Sequence, residues 1–223
     1  MIDRPEQLGG RRAGRSVPTL LASCVLATGI VLGGTGVAGA ESSSSSSSAV
    51  DVEWEASWAA YEFEKSVAGP ALSTVNVTLP ITINAPIDRV FPAYSNLYNS
   101  LGRHPFLSSV LDRRTYIEGG ADVWEFIALE DIPAGSASIP GRTVGQQRVY
   151  AADHWYSTDT WDAPGVITHQ KVTFAEVGGA TTVTEHLTFS APALLIDYTV
   201  KNGVSSHIEN QKAMQRDIEN GTL

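Results

Sequence analysis

The sequence contains a single cysteine, Cys24, and it lies within an N-terminal apolar stretch. The rest of the chain has no thiol. That excludes a cysteine nucleophile, a thiolate metal site, an iron–sulfur cluster and a stabilising disulfide there. Histidine is sparse and scattered. His104, His154, His169, His186 and His207 include no His-x-His or His-x-x-x-His pair, the spacings that bring two imidazoles to one metal ion. No metal and no cofactor is therefore expected. There is also no Gly-x-Ser-x-Gly elbow and no phosphate-cradling glycine loop, which argues against a hydrolase or nucleotide enzyme of standard type. Basic residues are few, 15 against 24 acidic. Because Arg4, Arg11, Arg12 and Arg15 all precede residue 40, the remainder is more acidic still. It has no basic stripe for nucleic acid or an anionic membrane, and nucleic acid is not an expected partner.

Residues 1–40 read as a signal peptide. Arg11, Arg12 and Arg15 form a basic start, Leu20–Leu32 an apolar centre, and Val37-Ala-Gly-Ala40 offers small residues for cleavage before Glu41. The expected location is secreted or cell-envelope. Membrane attachment is expected only if this segment stays uncleaved as an anchor or if Cys24 is lipidated. Glycines at 29, 33, 34, 36 and 39 weaken the anchor, and the apolar run continuing past Cys24 weakens the lipidation signal. Residues 41–71 read as a linker and aromatic extension. The tract Ser42–Ser48 is expected as a flexible tether. Trp54, Trp58 and Tyr61 follow at i, i+4 and i+7, one face of a short helix. That face suits a lid over a cavity, packing on the outside of the domain, or contact with another protein.

From residue 72 to 221 the order of elements carries the information. Strand-like alternation is expected over 75–84, 111–118, 122–131, 143–152, 154–162, 166–176 and 181–190, with Gly, Pro and Asp at the breaks. Pro86–Asn96 reads as an amphipathic helix, and a second short helical turn follows it. A long helix is expected over Pro192–Asn220, with an inner stripe of Val200, Val204, Ile208, Gln211, Gln215 and Ile218. A helix after a long antiparallel meander belongs across the concave face of the curved sheet. The expected fold class is α+β.

With these residues in view, the chain resembles the START-like superfamily, also called SRPBCC or helix-grip, and within it the polyketide cyclase/dehydrase-type branch. Ile81-Thr-Ile-Asn-Ala-Pro-Ile-Asp-Arg-Val-Phe91 looks like that family's opening strand running into its first helix. The resemblance implies a seven-stranded antiparallel sheet gripping the long helix, with a hydrophobic ligand pocket between them. It does not fix a reaction.

Strand parity then nominates what faces that pocket. Glu185 shares a face with Val183, Leu187 and Phe189, so it is a candidate acid or base among apolar neighbours, and His186 points away from it. Trp124 and Phe126 share a face of another strand. Phe106 and His104 lie on the loop expected at the cavity mouth. His207, Ile208 and Gln211 lie on the long helix. Phe106, Trp124, Phe126, Glu185, Phe189, His207, Ile208 and Gln211 are the expected ligand-binding residues. The expected function is binding of a hydrophobic or aromatic small molecule. The alternatives are a cyclase/dehydratase-type enzyme acting on a polyketide-like substrate, and a protein-interaction module.

Overall fold

A computed structural model of the chain describes residues 42–67 and 72–223. The expected signal segment, residues 1–40, lies outside the described residues. The elements run α1 (Ser42–Val67), β1 (Ser73–Ile83), α2 (Ile87–Ser95), a 3-10 turn (Leu97–Ser100), β2 (Leu107–Glu118), β3 (Ala121–Ala134), β4 (Ala137–Tyr150), β5 (Trp155–Asp162), β6 (Val166–Val177), β7 (Ala180–Ala191) and α3 (Ile196–Glu219). The strands form one seven-stranded sheet in the order β1-β7-β6-β5-β4-β3-β2. Each neighbouring pair is antiparallel. The hairpins β2–β3 and β6–β7 turn on Gly119-Gly120 and Gly178-Gly179, whose φ angles are all positive, as a two-residue turn matching strand twist requires.

Alternation along the strands separates two faces, and helices cover both. On the concave face α3 is held at its two ends. Toward its start, Val200 and Val204 pack with Leu187, Phe189 and Ala191. The helix comes close there because Gly203 has no side chain: a Cβ would sit 2.7 Å from the Phe189 ring. Toward its end, Met214 and Ile218 join Ile83, Tyr94, Tyr156, Val172 and Val183. Arg89 closes that end by donating from Nε to the Leu223 carbonyl at 3.2 Å. Between the two clusters the buried surface of α3 turns polar, with Ser206 and Gln211.

The inner stripe of α3 keeps Val200, Val204, Gln211 and Ile218 as expected, and adds His207 and Met214. His207 and Met214 face the sheet centre. Gln215, expected inward, donates instead to the Thr82 carbonyl of edge strand β1 at 2.7 Å, and Gln211 donates to Leu79 of the same strand at 3.0 Å. Glutamines serve in such a stripe because their amides are satisfied by backbone carbonyls.

The convex face is covered by α1, which corrects one expectation and selects among the three readings of the aromatic stripe. The serine tract is the start of this helix and not a tether, since serine costs a helix little once a packed segment anchors it. The aromatic stripe is neither a lid over the α3 side nor an exposed contact. Trp54 and Tyr61 are buried against the sheet, in the outside-packing arrangement. Trp54 joins Ile127 and Val144, and its indole N–H donates to the Gly145 carbonyl at 3.2 Å. A bulge in β2 between Asp112 and Arg114 inserts Arg113, so both arginines reach Glu125 on this face. Arg113 also pairs with Asp51 and Glu55 of α1. We expect Trp54→Ala to lower unfolding stability by about 3–5 kcal/mol in denaturant melts, as for other buried tryptophans. An unchanged midpoint would mean that α1 is not part of the cooperative unit.

Candidate ligand cavity and acid–base centre

On the concave face, register places Trp124 of β3 beside Gln147 of β4, Gln147 beside Thr158 of β5, and Thr158 beside Gln170 of β6. The middle of this face is therefore polar. Two regions are built on it.

The first is a groove of about 660 Å³ between β2–β4 and the segment after α2. Its walls include Tyr98, Asp112, Trp124, Gln147 and Val149. Asp112 holds both aromatic walls: the Tyr98 hydroxyl donates to it at 2.6 Å and the Trp124 indole at 3.0 Å. Phe126, 2% exposed, packs behind Trp124 with ring centroids 5.1 Å apart. Of this expected pair Trp124 lines the groove and Phe126 belongs to the core behind it. In volume and aromatic lining the groove matches a small-molecule site.

The second is the polar centre under α3. His207 Nδ1 lies 2.7 Å from Glu185 Oε2, and Gln170 Nε2 donates to the same carboxylate oxygen at 3.1 Å. Glu185 is almost wholly buried, while His207 keeps 19% of its side-chain exposure. Against a carboxylate, Nδ1 carries the proton and Nε2 is left with a lone pair, which is the arrangement of a carboxylate-oriented base. His104 lies edge-on to His207 with ring centroids 5.9 Å apart, and also edge-on to Phe106 at 5.6 Å. Arg103 sets this loop: its Nε donates to Asp217 of α3 and its Nη1 to the Asn99 carbonyl, both at 2.8 Å. Burial, and then the neighbouring His207, hold His104 down to about 3, so it is neutral at physiological pH.

A third feature of this face was not legible in the sequence. The Thr143 hydroxyl contacts Glu130 at 2.6 Å and Asp162 at 2.5 Å. A hydroxyl has one proton to give, so one of the two carboxyls must itself be protonated. Burial and the neighbouring Asp162 raise Glu130 to about 7, and burial raises Asp162. Glu130, Thr143 and Asp162 are far apart in sequence and meet only because β3, β4 and β5 are neighbours.

The remaining expected site residues have other surroundings. Phe189 fills the packed start of the grip beneath Gly203. Gln211 is 3% exposed and committed to β1. Ile208 is half-buried on the flank of α3. Glu185 and His207 were both expected at the site, but their pairing was not, and neither was the Arg103 tether.

No family model matches the sequence, and no curated protein sequence matches it. Solved structures do. The Zhui aromatase/cyclase from Streptomyces sp. R1128 aligns with a TM-score of 0.56 at 14% identity, over 68% of this chain and 97% of that one. A START superfamily protein from Mycobacterium smegmatis gives 0.51 at 13% identity, over 65% of this chain and 97% of its own. The di-domain ARO/CYC StfQ of steffimycin biosynthesis gives 0.53 at 11%, over 67% of this chain and 52% of that one. The fold is the START-like helix-grip fold. At these identities the likeness speaks for the helix-grip architecture and not for a shared ligand or reaction.

The two titrating groups predict opposite pH limbs. His104 is depressed from 6.5 to about 3, so its contribution is present above 6.5 and lost as pH falls toward 3. Glu130 is raised from 4.5 to about 7, so its contribution is present below 4.5 and lost as pH rises through 7. In melting temperature against pH, His104→Gln should flatten the acid limb and Glu130→Gln the limb approaching neutrality. Curves parallel to wild type would show that neither group titrates as stated.

Proposed function

We propose that this protein binds a small, largely apolar or aromatic molecule carrying oxygen functions, held between the sheet and α3. One observation carries the reading: the packing of α3 is apolar at both ends and polar in the middle, where His207 meets Glu185 and His104 lies edge-on to it. A helix meant only to seal a core would continue its apolar stripe. Burial of ligand surface contributes about 25 cal/mol per Å² removed from water, and the polar centre supplies orientation.

The Glu185–His207 pair favours a second reading, an enzyme of cyclase/dehydratase type. A neutral imidazole held by a buried carboxylate can take a proton from a carbon or hydroxyl of the substrate. A protonated Glu130 or Asp162 on the same face is a candidate donor for a leaving hydroxyl. The aromatase/cyclase neighbours share this fold, and that likeness is an analogy only.

Native mass spectrometry of the purified protein should reveal a co-purifying small molecule, and Trp124→Ala should weaken its retention. A protein that is always ligand-free, and takes up no hydrophobic dye, would end the binding reading. If the protein is an enzyme, His207→Asn and Glu185→Gln each lower turnover of an aromatic polyketide-like substrate by about 10²-fold or more. If it is a carrier, the same changes alter affinity modestly, because shape and apolar area dominate.

Export is part of the proposal and rests on the sequence of residues 1–40. N-terminal sequencing of material recovered outside the cytoplasm should begin at Glu41. An intact N-terminus in the membrane fraction, or lipid on Cys24, would replace export by anchoring.

A further inference from the structure

The sheet is asymmetric along its strands. One end is formed by the β2–β3, β4–β5 and β6–β7 connections and is charged, with Glu118, Asp122, Asp153 and Glu176 at or beside its turns. The other end is formed by the β3–β4, β5–β6 and β7–α3 connections. There residues 132–141, 163–165 and 190–196 carry no charged side chain, in a chain whose net charge is −9. The β3–β4 connection also projects. β2 pairs with β3 no further than Glu130, and β5 pairs with β4 no further than Val144, whereas β3 and β4 continue to pair with each other out to Ala134 and Ala137. Beyond Asp131 the hairpin is therefore a two-stranded arm with no strand beside it among the described residues.

Large apolar side chains stand in solvent at this uncharged end. Leu194, in the turn before α3, is 92% exposed, and Ile139 of the arm and Tyr198 of α3 are each 44% exposed. Ile117 and Val177 are also exposed, but each adjoins a glutamate, Glu118 or Glu176, at the charged end. The residues at the uncharged end form one surface. Ile139 lies opposite Ile132 in register, Pro133 follows Ile132, and the Tyr198 hydroxyl donates to the Pro133 carbonyl, which ties the arm to the first turn of α3. Helical bonds from Ile196 N–H to Pro192 and from Thr199 N–H to Leu195 run back through the turn, so Leu194 and Tyr198, four residues apart, share a face. An exposed apolar surface of this kind marks a contact with something else.

Size and charge select the occupant. A stable protein partner or a second copy buries about 800 Å² on each side, and three partly exposed side chains on a narrow arm and one turn fall well short of that. A lipid surface needs no matched shape, and its hold grows with the apolar area it covers. An uncharged end on an acidic chain meets an uncharged headgroup layer without repulsion, whereas an anionic layer repels the remainder of the chain. Tyr198, apolar in its ring and polar at its hydroxyl, is a residue type that settles at the boundary of water and lipid. The unpaired N–H and C=O groups along the edges of the arm limit the depth, since they cannot leave water for hydrocarbon. Asp131 and Arg142 at the base of the arm, and Asp197 beside Tyr198, set the same limit. We propose that this end of the domain docks reversibly on an uncharged lipid surface, with Ile139 and Leu194 entering the interface and Tyr198 at its polar boundary. The contact is separate from any attachment through residues 1–40.

The test is hydrogen exchange, read by mass spectrometry, on the full chain with and without phosphatidylcholine vesicles. A regional readout is needed because residues 1–40, where retained, could hold the chain at lipid without the arm touching it. Peptides covering residues 132–141 and 190–196 should exchange severalfold more slowly with vesicles, at low and high salt alike. The turns at Gly119-Gly120 and Gly178-Gly179 should be unchanged. Leu194→Asp should remove most of this protection with an unchanged melting curve, because the side chain is almost wholly in solvent. Ile139→Ser should weaken it. Equal exchange with and without vesicles, protection that requires anionic phosphatidylglycerol and disappears in salt, or protection that survives both substitutions would each overturn the proposal. Protection that grows with protein concentration in the absence of lipid would do the same, since a second copy would then cover the patch. None of these results bears on the concave-face ligand.

Discussion

The 2.7 Å contact between His207 and Glu185 joins the long helix to the floor of the sheet at the point where apolar packing stops. A buried carboxylate is costly unless it is hydrogen-bonded and paired, and here a histidine from α3 and Gln170 from β6 share the work. The two apolar clusters position α3 so that this contact can form. Gly203 lets the helix approach on one side, while Met214 and Ile218 pin it on the other. Arg103 then holds the His104 loop against the same helix through Asp217. The polar centre and the carboxyl pair lie on the sheet face that α3 packs against, and Trp124 and Gln147 of the groove share that face.

The convex face follows a different logic. An antiparallel sheet can leave one face to water, but β2–β5 place Glu125, Ile127, Val144 and Trp161 there, too apolar and too costly a set to leave open. The helix α1 covers them and brings Asp51 and Glu55 to Arg113, whose other partner is the buried Glu125. A buried pair of this kind contributes more to specifying where α1 sits than to net stability. The covering helix is part of the domain.

The strands were legible in the sequence because a period of two is a local property: the expected run 166–176 is observed as Val166–Val177, and 181–190 as Ala180–Ala191. The same parity correctly put Glu185 on the inner face, Trp124 beside Phe126, and His186 outward, where it meets Thr78. The partners of the α3 side chains were harder to read. Gln211 is buried as expected, but spacing alone did not show that β1 would take the Gln211 and Gln215 amides or that His207 would meet Glu185. The serine tract was misjudged because its conformation follows from the packed aromatic stripe after it and not from serine itself.

By itself, then, the sequence determined the element order, the α+β class, the facing of the strand residues and the acidic, thiol-poor character that excludes whole groups of chemistry. Those follow from composition and from periods of two and 3.6, which neighbouring residues carry among themselves. Only the tertiary structure decided that Glu185 has a histidine, that Glu130 and Asp162 share one hydroxyl across β4, and that α1 lies on the convex face. Each depends on strand order and on the rotation of a helix about its axis, which are settled by contacts between residues far apart in the chain. A shift of one residue in register or of one position around a helix would undo them all, and no local pattern in the sequence records that choice.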